Sequence, residues 1–246
     1  MKQFDLLTNL PGRQASSGQS ITNPGHATRK PPTGSSKRAL LPGIDGFFDG
    51  TLRYVPDFVA ERDSAKLFAA LRTSLQWQSD TIKVYGKWHV IPRLQALYGL
   101  PDAGYQYSGK YMAPLPLTEE LAHLSALCSR FAGVEFNSVL ANLYRDGQDC
   151  MGFHSDDEPE LGHNPVIASL TLGATRRFDL IHKKQAVKLQ LDLPSGSLLV
   201  MQGTTQQHWQ HGIARIKRPV AERINLTFRR IKGKRTSVIE SDKIQK

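Results

Sequence analysis

Arg223-Ile224-Asn225-Leu226-Thr227-Phe228-Arg229 alternates polar and apolar residues without a break. Residues two apart in a strand face the same way. Arg223, Asn225, Thr227 and Arg229 therefore share one face, and Ile224, Leu226 and Phe228 the other. So regular an apolar face belongs against a core. The opposite face then carries two arginines, and a buried arginine needs partners. A small dicarboxylate offers partners at both of its ends, with geometry that suits bidentate guanidinium contacts. Six residues of straight strand span about 20 Å, longer than such a ligand, so the strand curves or the side chains converge. An edge strand with solvated arginines is the competing reading.

Upstream the period-two pattern continues, with strands expected over 136–145, 166–172, 177–182, 186–191, 197–202, 207–213 and 222–230. Val187, Leu189 and Leu191 alternate with Lys188 and Gln190, as a half-buried strand requires. Asp146-Gly147, Gly173, Pro194-Ser195-Gly196 and Gly203 supply the turns between them. Before Gly133 the spacing is helical. Leu67, Phe68, Leu71 and Leu75 make one stripe over 62–76; Leu121, Leu124, Leu127, Cys128 and Phe131 make another over 118–131. Two helices followed by many short strands predict an α+β chain, mainly β, with a sandwich or jelly-roll core and helices packed outside. Residues 1–40 are rich in Ser, Gly, Pro, Thr, Arg and Lys, show no periodicity and read as a flexible basic arm.

The formal charge of +10 is unevenly placed. Residues 1–38 hold six Lys or Arg against one Asp, and 231–246 hold five against two acids, which leaves the middle of the chain near neutral. A basic tail favours contact with a polyanion without saying which. Two cysteines, Cys128 and Cys150, make no disulfide framework, so a reducing compartment is expected. No long apolar run follows Met1 and none approaches a membrane span, so neither a secretory leader nor a membrane anchor is expected.

His154-Ser155-Asp156 places an imidazole and a carboxylate two residues apart, which in a strand aims both at one point. One more imidazole completes a two-His-one-carboxylate set. Such a set leaves three positions of a six-coordinate iron(II) open to co-substrate and O₂. Alone, His-x-Asp is a weak motif. The third ligand lies in Gln207-His208-Trp209-Gln210-His211-Gly212, and spacing does not choose between His208 and His211. Asn142-Leu143-Tyr144 repeats the strand logic and offers an amide and a phenol to the same pocket. The joint order of these motifs, each at even spacing, is far harder to reach by chance than any one of them.

On these residues the chain resembles the AlkB family of nucleic-acid dealkylating dioxygenases, over roughly Tyr85 to Ile231. His154, Asp156 and His211 look like its catalytic iron triad, and R-I-N-L-T-F-R at 223–229 is very close to its 2-oxoglutarate signature. The resemblance implies His211 rather than His208 as ligand. It implies Arg223 at the distal C5 carboxylate and Arg229 near the iron-chelating end, with Asn142, Tyr144 and Asn225 also on the co-substrate. It implies Fe(II), 2-oxoglutarate and O₂ as cofactor and co-substrates, and a double-stranded β-helix core at 135–231 within a domain at 41–231. A nucleotide-recognition lid at 81–115 and a basic tail at 232–246 complete the expected organisation. The implied reaction oxidises 2-oxoglutarate to succinate and CO₂ while an N-methyl group is hydroxylated and leaves as formaldehyde. Expected substrates are 1-methyladenine and 3-methylcytosine in DNA, with RNA as a further one.

Val84-Tyr85-Gly86-Lys87-Trp88-His89, followed by Pro92-Arg93, looks like the duplex-repair branch. There an aromatic at Tyr85 would fill the gap left by a flipped base and offset part of its unstacking cost. Lys83, Lys87, Trp88 and Arg93 lie in a segment without acids, which suits phosphate contact. Asn142-Leu143-Tyr144-Arg145 and His154-Ser155-Asp156-Asp157-Glu158-Pro159 look more like the single-strand branch, so strand preference stays open. Tyr105 and Tyr107 resemble the loop beside the base, where a ring can stack on a cationic methylated base. Asp157 and Glu158 could read exocyclic amino groups or balance the lesion's charge. A monomer is expected, in the bacterial cytoplasm (nucleoid) or the eukaryotic nucleus. Rival readings are the same core acting on a protein or a free nucleotide, an iron-free binding module, and a zinc hydrolase.

Overall fold

The computed structural model describes residues 49–84, 87–107 and 110–232, with the backbone alone for 82–84, 87, 105–107 and 110–112. The arm expected at 1–40 and the tail from 233 onward lie outside the described residues. In chain order the strands are β1 (Thr51–Val55), β2 (Thr81–Val84), β3 (Lys87–Val90), β4 (Leu94–Gly99), β5 (Tyr105–Tyr107), β6 (Lys110–Met112) and β7 (Ser138–Tyr144). There follow β8 (Met151–His154), β9 (Ile167–Gly173), β10 (Arg176–His182), β11 (Lys188–Leu193), β12 (Leu198–Gln202), β13 (Trp209–Ile213) and β14 (Arg223–Arg229). Helices α1 (Glu61–Ser74) and α2 (Glu119–Ala132) flank the first strands, and a single turn, α3 (Thr205–His208), precedes β13. No described helix is long and apolar enough to cross a membrane.

Two antiparallel sheets make a jelly roll. The larger has the order β1-β12-β9-β14-β7-β4 and the smaller β11-β10-β13-β8. Strand β14 therefore lies inside the larger sheet, bonded to β7 on one side and β9 on the other. The edge-strand reading is thus overturned, and every residue of β14 is buried. Its two faces do different work. Ile224, Leu226 and Phe228 join Val139, Ala141, Leu143, Ala168, Leu170 and Leu172 in a core covered by α1 and α2. Fully burying each large side chain stabilises the fold by roughly 1.5–3 kcal/mol. The polar face looks between the sheets, into the layer where Leu140, Ile167 and Leu199 meet Phe178, Leu180 and Trp209.

Both helices use the expected stripes. Leu71 of α1 and Leu75 just past its end are buried, as are Leu121, Leu124 and Cys128 of α2. Thr118 caps α2 by accepting from Leu121 N, and Gly133 ends it in the left-handed conformation at φ 71°. Three expectations need correction. The larger sheet also contains β1 and β4, which precede α1 and α2 respectively, so strands do not simply follow helices. The stretch 207–213 is not one strand, because α3 occupies its beginning. Strand β8 ends at His154, so Asp156 lies beyond it and strand periodicity does not place its carboxylate.

Candidate active site

His154 and His211 are far apart in sequence but directly opposite one another where β8 pairs with β13. Cross-strand neighbours bring their Cβ atoms within about 5 Å, and the ring centroids here lie 4.4 Å apart. His154 Nδ1 is 3.0 Å from the Gly152 carbonyl. A proton on Nδ1 satisfies that contact and leaves Nε2 with its lone pair for a metal. Phe178 stacks on His211 at 5.2 Å. Burial, reinforced by His154, pushes His211 down to about 3, so it is the neutral imidazole that a metal needs.

Asp156 is held from three directions. Its backbone N–H donates to Gln206 Oε1 at 2.9 Å. Its Oδ1 accepts from Arg229 Nη2 at 2.7 Å. Its Oδ2 lies 3.6 Å from His211 Nε2 and has no hydrogen-bond partner among the described residues. Burial alone would raise this carboxyl, but the Arg229 guanidinium leads the charges that outweigh it and hold it well below the usual carboxylate range. One donor atom from each of His154, Asp156 and His211 lies within 4.8 Å of the others. Two imidazoles facing each other, a buried carboxylate and its unpartnered Oδ2 fit a non-haem iron(II) site with open positions.

A second group, Asp49, His182 and His208, is equally close. Its proton arrangement argues against a metal. His182 Nδ1 accepts from the backbone N–H groups of Lys184 and Gln185 at 3.2 and 2.9 Å. The ring proton is therefore on Nε2, which donates to Asp49 Oδ2 at 3.2 Å and has no lone pair to give. His208 stacks on His182 at 5.9 Å. The cluster clasps the β10–β11 hairpin, and it is His211, not His208, that the fold brings beside His154 and Asp156.

From the triad the pocket runs along the polar face of β14. Arg229, Thr227, Asn225 and Arg223 all line it, opposite Leu140, Asn142 and Tyr144 of β7. Asn225 Nδ2 donates to Ser169 Oγ at 2.8 Å, and Thr227 Oγ1 donates to Asn225 Oδ1 at 3.0 Å. The length of β14 is thus spent on both ends of the pocket, with Arg229 at the metal ligand and Arg223 at the far end. Arg223 is 1% exposed. Its Nη2 donates to Thr171 Oγ1 at 2.9 Å, and its Cζ lies 5.2 Å from the Tyr144 ring centroid. Its Nε and Nη1 have no partner among the described residues. Each unmet buried donor costs roughly 1–3 kcal/mol, and burial pushes this guanidinium down to about 10. A carboxylate accepting from Nε and Nη1 would remove both penalties.

The expected nucleic-acid contacts are less uniform. Arg93 corrects the sequence reading, because it is 3% exposed and cannot reach a phosphate. Its Nε donates to Asn142 Oδ1 at 2.8 Å and its Nη1 to the Cys150 carbonyl at 3.4 Å. It props the Asn142 amide from behind, leaving Nδ2 as that amide's donor. Trp88 is 69% exposed in β3. Tyr85 lies outside the described residues, as do the side chains of Lys87, Tyr105 and Tyr107. Asp157 is exposed, with Lys183 Nζ 3.5 Å away. Glu158 Oε2 is buried without a hydrogen-bond partner among the described residues, and burial, then Asp156, raises its pKa. Gln206 carried no sequence signal, since the polar run Thr204-Thr205-Gln206-Gln207 looks like any loop.

The 2OG-Fe(II) oxygenase superfamily profile matches residues 51–229. The DNA oxidative demethylase ALKBH2 of Bos taurus is 41% identical over 168 residues, covering 64% of this chain and 60% of that protein. The Mus musculus ALKBH2 is 39% identical over 183 residues, covering 70% and 76%. The alpha-ketoglutarate-dependent dioxygenase alkB homolog 3 of Bos taurus is 36% identical over 212 residues, covering 81% and 68%. The solved structure of OsALKBH1 superposes with a TM-score of 0.52 at 17% identity, over 75% of this chain and 99% of that one, a likeness of fold.

Proposed function

Because the chain belongs to the AlkB family of the 2OG-Fe(II) oxygenase superfamily, we propose that it oxidatively demethylates N-alkylated bases in DNA. One observation carries the co-substrate half of this reading. A pocket with a His-Asp-His set at one end finishes at the other on two buried, unpartnered Arg223 donors. A ligand that chelates a metal at one end and bears a carboxylate at the other fits both. The DNA half is supported by relatives named DNA oxidative demethylase at 39% and 41% identity.

Bound iron(II), with 2-oxoglutarate and O₂, supplies the power to hydroxylate an N-methyl group that then leaves as formaldehyde, alongside succinate and CO₂. The residues of the chain orient and exclude. His154 and His211 present ring nitrogens to the site, and Arg229 keeps one oxygen of Asp156 occupied so that the other faces it. Arg223 takes the distal carboxylate, with Thr171 fixing its plane. Arg93 turns Asn142 so that its N–H group can serve the co-substrate. Glu158 Oε2 is an acceptor available to an exocyclic amine of the lesion. Trp88, exposed on β3, gives the DNA a surface to meet. Extension to RNA rests on the sequence resemblance.

The test uses anaerobically reconstituted protein, iron(II), 2-oxoglutarate and an oligonucleotide bearing one 1-methyladenine, offered single-stranded and duplexed. Mass spectrometry after O₂ is admitted should show loss of one methyl group that requires both iron and 2-oxoglutarate. The ratio between the two oligonucleotides assigns strand preference. Succinate without demethylation would redirect the substrate; neither product, in protein shown to hold iron, would sink the enzymatic reading.

A further inference from the structure

Arg176, the first residue of β10, is 1% exposed, like Arg223, but lies nearer the surface of the fold. Its Nη1 donates to the Asp146 carbonyl at 3.0 Å. Its Nη2 donates to the carbonyls of Asp149 and Ala214 at 3.0 and 2.8 Å. Its Nε has no partner among the described residues. All of these acceptors are neutral. The nearby Asp149 carboxylate is already taken by Arg145, through Nε at 2.8 Å and Nη2 at 2.9 Å. Guanidinium stays charged in proteins, so a full positive charge is buried here without a carboxylate hydrogen-bonded to it. Binding three carbonyls does not require that charge, and burial opposes it.

The position of the charge suggests its use. Arg176 Cζ lies 5.6 Å from the Tyr144 ring centroid, and Arg223 Cζ lies 5.2 Å from the same centroid. One phenol ring, 2% exposed, is within cation–π reach of two guanidiniums. Arg176 also pushes Arg223 down through like-charge repulsion, after burial. Of these two, Arg223 lines the pocket and Arg176 does not. The far end of the pocket thus carries one positive charge that a ligand can touch and a second beside the same Tyr144 ring. Neither has a hydrogen-bonded carboxylate. The anionic end of a ligand would offset one of the two charges and feel the attraction of both.

We propose that Arg176 is a positioning residue that makes the pocket select 2-oxo acids with a distal carboxylate over those without one. It holds the 146–149 backbone and the Tyr144 ring in place, and adds a second positive charge beside that ring. The inference rests on the reading of this pocket as a 2-oxoglutarate site.

The experiment titrates oxygen-free, iron(II)-loaded full-length protein by calorimetry with 2-oxoglutarate and with 2-oxopentanoate. The second ligand keeps the chelating end and carries a methyl where the distal carboxylate would be. In Arg176→Gln the Kd for 2-oxoglutarate should rise on the order of 10-fold, while that for 2-oxopentanoate stays unchanged. Arg176→Lys, which keeps the charge and loses the fork of contacts, should keep most of the wild-type ratio between the ligands. Equal weakening of both ligands in Arg176→Gln would reduce Arg176 to a backbone clasp and overturn the proposal. So would an unchanged ratio. Should Arg176→Gln fail to fold, a folded Arg176→Lys protein that loses the ratio overturns it too. Wild-type protein that binds neither ligand is a separate result, which defeats the co-substrate reading itself.

Discussion

Arg229 Nη2 and Asp156 Oδ1 meet at 2.7 Å with both side chains buried, joining the end of the central strand to the loop beyond β8. The contact divides the labour of one carboxylate. Oδ1 is satisfied by the arginine, and Oδ2, 3.6 Å from His211 Nε2, remains to bind a metal. Arg229 therefore acts on the metal site through its ligand.

Removing that partner should damage stability and metal binding together. Arg229→Met leaves a buried carboxylate unpaired, a change that typically costs about 3–5 kcal/mol. Loss of a group that orients a ligand typically weakens a metal by about 10–100-fold. Urea melts of metal-free protein and an anaerobic iron(II) titration check the two halves. Unchanged iron affinity in folded Arg229→Met would show that Asp156 orients itself without help.

Asp156→Ala removes the ligand instead. Turnover should be abolished, while affinity for alkylated DNA, read by fluorescence anisotropy, should change little. A large loss of DNA affinity would mean that the carboxylate serves the nucleic-acid surface as well as the metal.

His211 gives the metal-free protein a pH dependence of known sign. Its folded pKa is depressed to about 3 by burial and by His154, whereas an unfolded histidine titrates near 6.5. Between those values the unfolded chain binds more protons. The stability that His211 contributes is therefore fully present above about pH 6.5 and is lost as pH falls toward 3. The slope from this group approaches about 1.4 kcal/mol per pH unit well below 6.5. Melts in chelator at several pH values, compared with His211→Gln, should show a shallower fall in the variant. Parallel curves would mean that His211 does not carry the dependence.

How much of this was legible before the structure varies by residue. The alternation of 223–229 gave both faces of β14 correctly, because the pleat alone decides which side chains share a side. It could not say whether the strand was central, since a polar face turned into a pocket looks like one turned to water. The meeting of His154 with His211 depends on which strands pair, and no local spacing encodes the β8–β13 register. Asp156 looked like a continuation of the strand, yet it sits past the end, where Gln206 and Arg229 hold it. Arg93 read as a surface cation because Ile91-Pro92-Arg93 carries no hint that Asn142 lies beside it. Strands β1 and β4 were missed for opposite reasons: the first is short and bounded by weak signals, and the second is too uniformly buried to alternate.

The hairpin of β2 and β3 makes its own prediction. Trp88 and Val90 share one side of β3 and are 69% and 65% exposed, an apolar surface with no partner in the described fold. If Tyr85 between these strands fills the gap beneath a flipped base, Tyr85→Ala should lower kcat/KM on duplex substrate more than on single strands. Demethylation rates on matched oligonucleotides decide it, and equal losses on both would remove the wedge.

Arg223→Met should separate stability from function. The wild-type guanidinium is buried with two unpartnered donors, and methionine fills a similar volume without that penalty. Replacing buried charge by a packed apolar group is often neutral or stabilising, by about 1–4 kcal/mol. The metal-free variant should therefore unfold at the same urea concentration as wild type or at a higher one. It should also lose the stabilisation that added 2-oxoglutarate gives the iron-loaded wild type, since no donor remains for the distal carboxylate. Binding that shifts stability scales with the ratio of ligand to Kd, so paired melts with and without 2-oxoglutarate read the loss directly. A variant that is destabilised without ligand would show that Arg223 is already well partnered by Thr171 and Tyr144. A variant that keeps the full 2-oxoglutarate shift would move the distal carboxylate elsewhere in the pocket.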